Sequence, residues 1–299
     1  MSVVTVGSFD GVHPGHRAVI DEIRRRAAAA QTRCIVVTFE PHPLQVVNPH
    51  AAPQLLTPGD ERLEALATTG VDRVVVLRFD RALASLPPEE FVARVLLGRL
   101  GMTELVIGHD HGFGRGRSGD ETTLRALGAQ HGFSVDVVQA VDAGRTHVSS
   151  SRIRRAVAGG DLETAAMLLG RRYAVSGTVV RGAGRGRTLG VPTINLGGVP
   201  PQKLLPPDGV YAVTIESRSG RFGGMMNQGG RPTFSEAPRT LEAHLFDFAG
   251  DLYGERVRLT WLTRLRDVRR FASADDLVAQ LAQDGADARA VLARVQQEP

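Results

Sequence analysis

The feature that most constrains this chain is a strand that runs through a glycine-rich turn into a helix at the N-terminus. The apolar run Val3–Val6 predicts the strand, and the pattern from Arg17 onward predicts the helix. Between them, positions 7–16 read GSFDGVHPGH. The glycines let backbone N–H groups approach an anion closely, and the helix start adds partial positive charge. With His13 and His16 expected on one helix face, this H-x-G-H turn predicts a phosphate site and indicates nucleotidyl transfer.

Composition places the chain among globular proteins of two domains. It has 299 residues, 42% of them hydrophobic, and its only cysteine is Cys34, which excludes an internal disulfide and a cysteine-rich metal site. No apolar run approaches the roughly 20 residues of a membrane span, and the first strand leaves no room for a signal peptide. We therefore expect a cytoplasmic protein with no membrane partner.

The basic side chains are almost all arginine: of 36 lysines and arginines, only Lys203 is a lysine. A P-loop kinase needs a lysine in G-x-x-x-x-G-K-[ST], and Lys203 lies in the unrelated segment PPQKLL. P-loop chemistry is thereby excluded, and phosphate must be held by arginine, histidine, backbone N–H groups and metal. Only 5% of residues are aromatic and no basic run is interleaved with them, so we expect no nucleic acid partner.

The first half of the chain alternates β-rich runs with helical patterns. The predicted strands are Val3–Val6, Cys34–Phe39, Arg73–Leu77, Glu104–Ile107 and Ser134–Val138, and the predicted helices are Arg17–Ala30, Asp60–Thr69, Glu89–Leu100 and Thr122–His131. This alternation predicts an α/β fold, a Rossmann-like parallel sheet with helices on both faces. Ligands in such folds bind at the carboxyl ends of strands, where the H-x-G-H turn and the segments TFEPHP (38–43) and GHDHGFG (108–114) lie.

Beyond Arg171 the pattern changes to period two. The predicted strands are Tyr173–Val180, Val210–Glu216, Gly223–Asn227, Leu241–Phe246 and Arg256–Leu262, followed by one or two helices, Ala274–Gln283 and Ala286–Gln296. Short strands at this spacing predict a small antiparallel barrel. We expect a first domain over residues 1–158, a linker helix over 159–170 and a second domain over 171–299.

A second candidate phosphate site opens the barrel region. Positions 181–190 read RGAGRGRTLG, and VPTIN follows at 191–195. A glycine-rich loop alone also fits a flexible hairpin, but the arginines supply charge where lysine is absent. The oxygens of Thr193 and Asn195 suit Mg²⁺. In LEAHLFDF (241–248), alternation places Glu242, His244 and Phe246 on one face, where Glu242 is either a general base or a plain surface residue.

A cluster of hydroxyl and arginine side chains follows the first domain's last strand. Positions 149–154 read SSSRIR, with Arg152 and Arg154 beside the serines. The serines fit either an N-cap before the next helix or a second wall of the first phosphate site.

These segments, together with NQGGRPTF (227–234) and GDLYG (250–254), resemble the bacterial bifunctional riboflavin kinase/FAD synthetase family over nearly the whole chain. The resemblance implies an H-x-G-H nucleotidyltransferase domain and a six-stranded antiparallel kinase barrel with terminal helices. It implies that the barrel phosphorylates riboflavin to FMN with Mg²⁺-ATP, and that the first domain transfers AMP from ATP to FMN, giving FAD. Riboflavin, FMN, FAD and ATP are then the partners of a monomer or weak homo-oligomer.

The resemblance also assigns roles by position. It implies that His13 and His16 act on the ATP phosphates, that Glu242 activates the ribityl hydroxyl, and that Thr193 and Asn195 hold the metal. The predicted nucleotide-binding residues are Gly7, Ser8, Phe9, Asp10, Gly15, Asp110, Ser149, Ser150, Ser151, Arg154, Gly182, Gly184, Gly186 and Arg187.

Two other functions stay open at this point. One is a monofunctional riboflavin kinase whose first domain binds nucleotide without transfer, and His111, at a position that is usually aromatic in the family, favours it. The other is a flavin or nucleotide sensor, which predicts a DNA-reading or interaction segment, such as a basic recognition helix, that the sequence does not show.

Overall fold

The computed structural model describes residues 1–108, 119–139, 141–143, 146–182, 190–229 and 239–297. They form two compact units. The first comprises Met1–Arg152 with Leu168–Gly170, and the second comprises Ile153–Met167 with Arg171–Pro299. The two units divide between Arg152 and Ile153, inside the helix Ser150–Ala158, whereas the expected boundary at residue 158 lies at the end of that helix.

A five-stranded parallel sheet forms the first unit, in the spatial order β3-β2-β1-β4-β5. Its strands are β1 (Ser2–Val6), β2 (Arg33–Glu40), β3 (Arg73–Arg78), β4 (Met102–Gly108) and β5 (Ser134–Val138). The strand order reverses between β1 and β4, and ligands of such sheets bind at the carboxyl ends beside that point. All five predicted strands are confirmed to within two residues.

Helices cover both faces of this sheet, as predicted. They are α1 (Pro14–Ala29), α2 (Pro43–Val47), α3 (Asp60–Ala67), α4 (Arg81–Ser85), α5 (Pro88–Phe91) and α6 (Glu121–His131), with a 3₁₀ turn at Pro49–Ala51 and a π-helix at Val92–Leu97. One hydrophobic core contains Val3 with α1 and α3, and the other contains Val4 with the π-helix and α6. Successive strand residues thus point to opposite faces, and both faces are buried.

Two predicted helices differ from the observed ones. The helix predicted at Asp60–Thr69 ends at Ala67, because the hydroxyls of Thr68 and Thr69 donate to the carbonyls of Ala65 (2.8 Å) and Leu66 (2.6 Å). Side chains that bond the last carbonyls compete with continuation of the helix. The segment predicted at Glu89–Leu100 is instead α5 followed by the π-helix.

After the sheet come a short ribbon, two helices and the barrel. The ribbon is β6 (Asp142–Ala143) with β7 (Thr146–His147), and the helices are α7 (Ser150–Ala158) and α8 (Leu162–Leu169). The barrel strands are β8 (Ala174–Val180), β9 (Ile194–Gly197), β10 (Gly209–Ser217), β11 (Gly220–Gly229), β12 (Thr240–Leu245) and β13 (Arg256–Arg266).

The barrel is closed and six-stranded, in the order β10-β11-β12-β9-β8-β13, which confirms the predicted fold. Closure leaves no unpaired edge. The period-two alternation does not predict strand β9, because its four residues INLG are too few to show a periodicity. It pairs with both β8 and β12 and so completes the ring.

A single helix, α9 (Ala274–Gln296), follows the barrel in place of the two shorter segments that the pattern allowed. It runs through Gly285, where an added Cβ would meet nothing within 4 Å. A buried ion pair fixes α9 to β13: Arg266 makes two bonds, of 2.8 and 2.6 Å, to Asp284, which is 1% exposed. No helix in the described ranges has the length and apolar character needed to cross a membrane.

The single lysine has a structural environment in the barrel unit. Lys203 is 2% exposed, its Nζ donates to the Ala174 carbonyl (2.6 Å), and it lies 4.4 Å from the ring centroid of Tyr173. The Tyr173 hydroxyl in turn donates to Leu204, and its ring stacks on Trp261. Lys203 therefore ties the chain before β10 to β8, which agrees with the exclusion of P-loop chemistry.

We expect Lys203→Ala to lower the free energy of unfolding by about 2 kcal/mol, because a buried carbonyl loses a charged donor. Urea unfolding followed by tryptophan fluorescence measures this loss. Arg218→Ala, which removes an exposed cation from the β10–β11 turn, is the matched control and should change stability little. Equal effects of the two substitutions would contradict the structural role of Lys203.

Candidate active sites

The turn between β1 and α1 has an unusual backbone. Phe9 (φ 49°), Gly11 (φ 89°) and Val12 (φ 42°) all adopt positive φ. Positive φ is strained for a β-branched residue such as Val12. Strained conformations persist when surrounding structure enforces them, and they concentrate at functional sites.

Asp10 holds this turn in place. Its side chain is 1% exposed, and the carboxylate accepts from the backbone N–H groups of Leu56 (3.0 Å) and Thr57 (2.9 Å). The N–H of Gly11 donates to the Thr57 hydroxyl (2.8 Å). Asp10, predicted among the nucleotide-binding residues, thus uses its carboxylate to anchor the turn from the protein side.

The two histidines come together at the start of α1. His13 is the N-cap, and its Nδ1 accepts from the N–H of His16 (3.4 Å). The two rings stack with centroids 3.7 Å apart, which confirms their predicted common face. Because Nδ1 of His13 is an acceptor, the neutral ring carries its proton on Nε2 and can donate from there.

Smaller residues leave room for these rings. Gly15 lies against His13, where an added Cβ would come within 3.3 Å of the ring, and Gly7 stands in the same relation to Phe9 at 3.1 Å. The Phe9 ring is buried and lies 5.1 Å from that of His16. The buried Phe9 therefore packs the turn through its side chain, and an approaching anion meets its backbone.

The serine cluster reaches the same turn. Ser150 donates to the carbonyl of Asp10 (3.0 Å), although the two residues are 140 positions apart. Ser149 accepts from the N–H of Arg152 (3.4 Å), so it also plays the helix-capping part. Ser151 is exposed and Arg154 is half-buried on the same helix. The structure thus brings one of the three serines onto the H-x-G-H turn.

One residue at this site was not singled out by the sequence motifs. Arg62 on α3 is 2% exposed and donates to the carbonyls of Ser8 (3.2 Å) and Phe39 (2.9 Å) and to the Glu40 carboxylate (2.6 Å). The available signal was its spacing: Arg62 precedes the fully buried Leu66 by four residues and so shares its inward helix face.

The second site lies on three adjacent barrel strands. Glu242 of β12 pairs with Asn195 of β9 on one side and Asn227 of β11 on the other. Directly paired residues place their side chains on one face, about 5 Å apart. A carboxylate is thus flanked by two amides, one of them a predicted metal ligand.

Close backbone approach shapes this site. An added Cβ at Gly182 would lie 2.1 Å from Nδ2 of Asn195, so any larger residue there would displace the Asn195 side chain. Asn195 is 8% exposed, and Thr193 is half-buried directly before β9. The start of the glycine-rich loop therefore runs against the predicted metal ligand.

His244 links this row to the loop before β9. Its Nδ1 lies 2.7 Å from the carbonyl of Pro192, which can only accept, so Nδ1 carries the proton. The His244 ring meets Phe246 edge to face at 5.6 Å. His244 therefore contacts the residue that directly precedes Thr193, and it lies two residues from Glu242 on the same strand.

A cavity of about 450 Å³ adjoins the row, between the barrel and α9. Its lining comprises Val191, Met225, His244, Phe246, Val278, Leu281, Ala282, Gly285, Ala286 and Arg289. Arg289 lies 4.3 Å from the Phe246 ring centroid and makes two bonds to Asp247 (2.8 and 2.9 Å), which lower the pKa of that carboxyl. A mostly apolar cavity of this size accepts a planar aromatic ligand.

Several predicted residues lie outside the described part of the chain. They are Asp110, His111, Gly184, Gly186 and Arg187. Within the described ranges, no group of three or more His, Cys, Asp or Glu side chains is placed to hold a metal ion. Metal binding at the barrel would rest on hydroxyl and amide oxygens together with the nucleotide's phosphates.

Two family profiles match the chain in succession. Residues 1–152 match FAD synthetase and residues 169–292 match riboflavin kinase. Bifunctional riboflavin kinase/FMN adenylyltransferase from Escherichia coli strain K12 is 39% identical over 289 residues, 96% of this chain and 91% of that protein. The enzyme of the same name from Pseudomonas fluorescens is 39% identical over 97% and 93%, respectively.

A solved structure shares the fold over most of its length. It is a Streptococcus pneumoniae protein that bears the name macrolide-efflux protein. It superposes with a TM-score of 0.83 at 34% identity, covering 95% of this chain and 92% of that one.

We expect Gly182→Ala to weaken Mg²⁺-ATP binding to the barrel at least tenfold, because the new methyl group displaces the Asn195 amide. Isothermal titration with a non-hydrolysable ATP analogue and Mg²⁺ measures the affinity. Ser219→Ala, in the exposed turn between β10 and β11, is the control: it shortens a side chain that takes no part in either proposed site and should leave affinity unchanged. Unchanged affinity in Gly182→Ala would contradict this account of the loop.

Proposed function

The chain belongs to the family of bifunctional riboflavin kinase/FMN adenylyltransferases, and we propose that the two sites described above carry its two reactions. It phosphorylates riboflavin to FMN and adenylylates FMN to FAD with release of pyrophosphate. Both domains are present, which favours the bifunctional activity over the alternative of a kinase with an inactive first domain. What remains to be assigned is the role of each residue.

For adenylyl transfer, the proposal rests on the stacked pair of histidines at the start of α1. A phosphate oxygen of FMN attacks the α-phosphorus of ATP, the bond to the β-phosphate oxygen breaks, and pyrophosphate leaves. Charge builds on the equatorial and leaving oxygens. We assign His13 and His16, with the first N–H groups of α1, to bind those oxygens. One such preorganised donor is typically worth about 3 kcal/mol of barrier lowering.

For the kinase step, the row Asn195–Glu242–Asn227 carries the assignment. Glu242 accepts the proton of the ribityl 5′-hydroxyl, and the oxygen of that hydroxyl attacks the γ-phosphorus of ATP. The bond between the γ-phosphorus and the bridging oxygen of the β-phosphate breaks, so that ADP leaves and FMN forms, and Glu242 then releases the proton to water. General-base assistance typically contributes about 10²–10⁴-fold. The amides of Asn195 and Asn227 flank the carboxylate without adding a competing charge.

Mg²⁺ fits the same barrel site. The Asn195 amide lies in a cradle that a side chain at Gly182 would fill, and Thr193 adds a hydroxyl, both oxygen donors of the kind Mg²⁺ prefers. When bound with ATP, the ion would neutralise charge on the phosphates. Thr193 and Asn195 would hold it.

Riboflavin would place its ring system in the cavity between the barrel and α9. Phe246 and Met225 offer apolar contact, while Glu242 and His244 share one face of β12 and Phe246 directly follows that strand. A ring seated there would present its ribityl chain toward Glu242. The terminal helix would thus complete a flavin site as well as cover the barrel.

The organisation proposed is an adenylyltransferase domain over residues 1–158, a linker helix over 159–170 and a kinase domain over 171–299. We propose that the enzyme acts in the cytoplasm as a monomer or weak homo-oligomer, without nucleic acid or membrane partners. The near balance of 36 basic against 32 acidic residues and the scarcity of aromatic residues support the absence of a nucleic acid partner.

Glu242→Gln and His16→Ala should separate the two reactions. Glu242→Gln keeps the shape but loses the base, so we expect FMN formation to fall at least 10²-fold while supplied FMN is still converted to FAD. His16→Ala should accumulate FMN, with FAD formation reduced about 10²-fold. Chromatography of flavins over time with riboflavin, ATP and Mg²⁺ measures both rates.

Each substitution is the control for the other, since both proteins contain the unaltered second site. A single substitution that abolished both steps in a folded protein would contradict the assignment of one reaction to each unit. Full FAD formation by His16→Ala would remove His16 from the adenylyltransferase site.

A further inference from the structure

The segment Leu56–Arg62, here called the brace, belongs to none of the motifs but holds the phosphate turn at two points. At its start, Thr57 bonds both Asp10 and Gly11. At its end, Arg62 bonds the carbonyl of Ser8. The brace thus meets the turn on either side of Phe9, the first residue with positive φ.

Arg62 also connects the turn to the neighbouring strand end. Its Nη2 donates to the carbonyl of Phe39 (2.9 Å) and to Glu40 (2.6 Å), while Nη1 donates to Ser8 (3.2 Å). The hydroxyl of Thr38 donates to the same Ser8 carbonyl (3.2 Å). One planar guanidinium therefore sets the spacing between the carboxyl ends of β1 and β2.

Stability alone does not account for an arginine here. The guanidinium is 2% exposed, two of its three acceptors are neutral carbonyls, and the third, Glu40, is 45% exposed. Its Nε is buried with no hydrogen-bond partner among the described residues. Buried charges compensated in this partial way cost stability, and an apolar side chain of similar volume would often serve the fold better.

We propose that Arg62 is a positioning residue for adenylyl transfer. It holds the turn after β1 in register with the end of β2, so that the turn's N–H groups and the two histidines stay aligned on the ATP phosphates. Arg62 is sealed from solvent and acts only through the residues it bonds. This inference rests on the proposed assignment of His13 and His16.

The contribution of Arg62 should appear in turnover more than in folding. Displacing catalytic groups by about 1 Å can cost about 10²-fold in rate. Lysine keeps the charge near Glu40 but lacks the fork that spans two carbonyls. We therefore expect Arg62→Met to lower kcat for FAD formation about 10²-fold and Arg62→Lys about tenfold, each with little change in the KM for ATP.

The experiment uses the full chain, with riboflavin phosphorylation by the same molecules as an internal control. For each variant, kcat and KM for FAD formation, the riboflavin kinase rate and the melting temperature are measured. Arg24→Met is the matched control. Arg24 donates to the carbonyl of Gly70 (3.1 Å), which precedes β3 and therefore lies at the amino-terminal ends of the strands, away from the phosphate turn. It should leave kcat for FAD formation within twofold.

The proposal is supported if kcat for FAD formation is lowest in Arg62→Met, intermediate in Arg62→Lys and highest in the parent protein. The riboflavin kinase rate must stay unchanged, and the assay temperature must lie below the melting temperature of each variant. Arg62→Met with kcat within threefold of the parent overturns it. So does a kcat that recovers fully when the assay is cooled well below the variant's melting temperature, since arginine would then serve only the fold. His16→Ala is assayed in parallel. If this variant still forms FAD, the site assignment itself is overturned. If it loses FAD formation while Arg62→Met stays active, only the role of Arg62 is overturned.

Discussion

The first candidate active site depends on a turn whose strained backbone is bonded to distant parts of the chain. Three residues between β1 and α1 adopt positive φ, and one of them is the β-branched Val12. Bonds from outside the turn enforce this backbone: the Asp10 carboxylate with Thr57, the Ser150 hydroxyl and the Arg62 guanidinium. This turn fixes where α1 begins, and it thereby positions the stacked rings of His13 and His16.

In the barrel, regular strand pairing rather than a strained turn positions the side chains of the second candidate site. Its site is a row across three antiparallel strands, where pairing alone places Asn195, Glu242 and Asn227 side by side. A regular hydrogen-bond ladder enforces this register, so no strained backbone is needed. A tight contact, Gly182 against Asn195, marks where the loop approaches the row.

Both proposed sites rely on arginine rather than lysine for positively charged side chains. The single lysine is buried in the barrel framework, which leaves arginine, histidine and backbone N–H groups as the donors that the proposed phosphate sites can use. Arginine has a fixed planar fork, which suits both phosphate binding and the bracing of carbonyls. Arg62, Arg266 and Arg289 each use that fork to tie two elements together.

The sequence alone determined the features whose signal is local. Apolar runs located the parallel strands, alternation located most of the barrel, and the three-residue spacing placed His13 and His16 on one face. Tertiary structure decided the rest, because the partners are far apart in the chain. Asp10 meets Thr57 across 47 positions and Arg62 meets Ser8 across 54, distances at which no periodicity in the sequence reports a contact. Likewise β9 is too short to show a pattern, and only closure of the barrel between β8 and β12 makes it a strand.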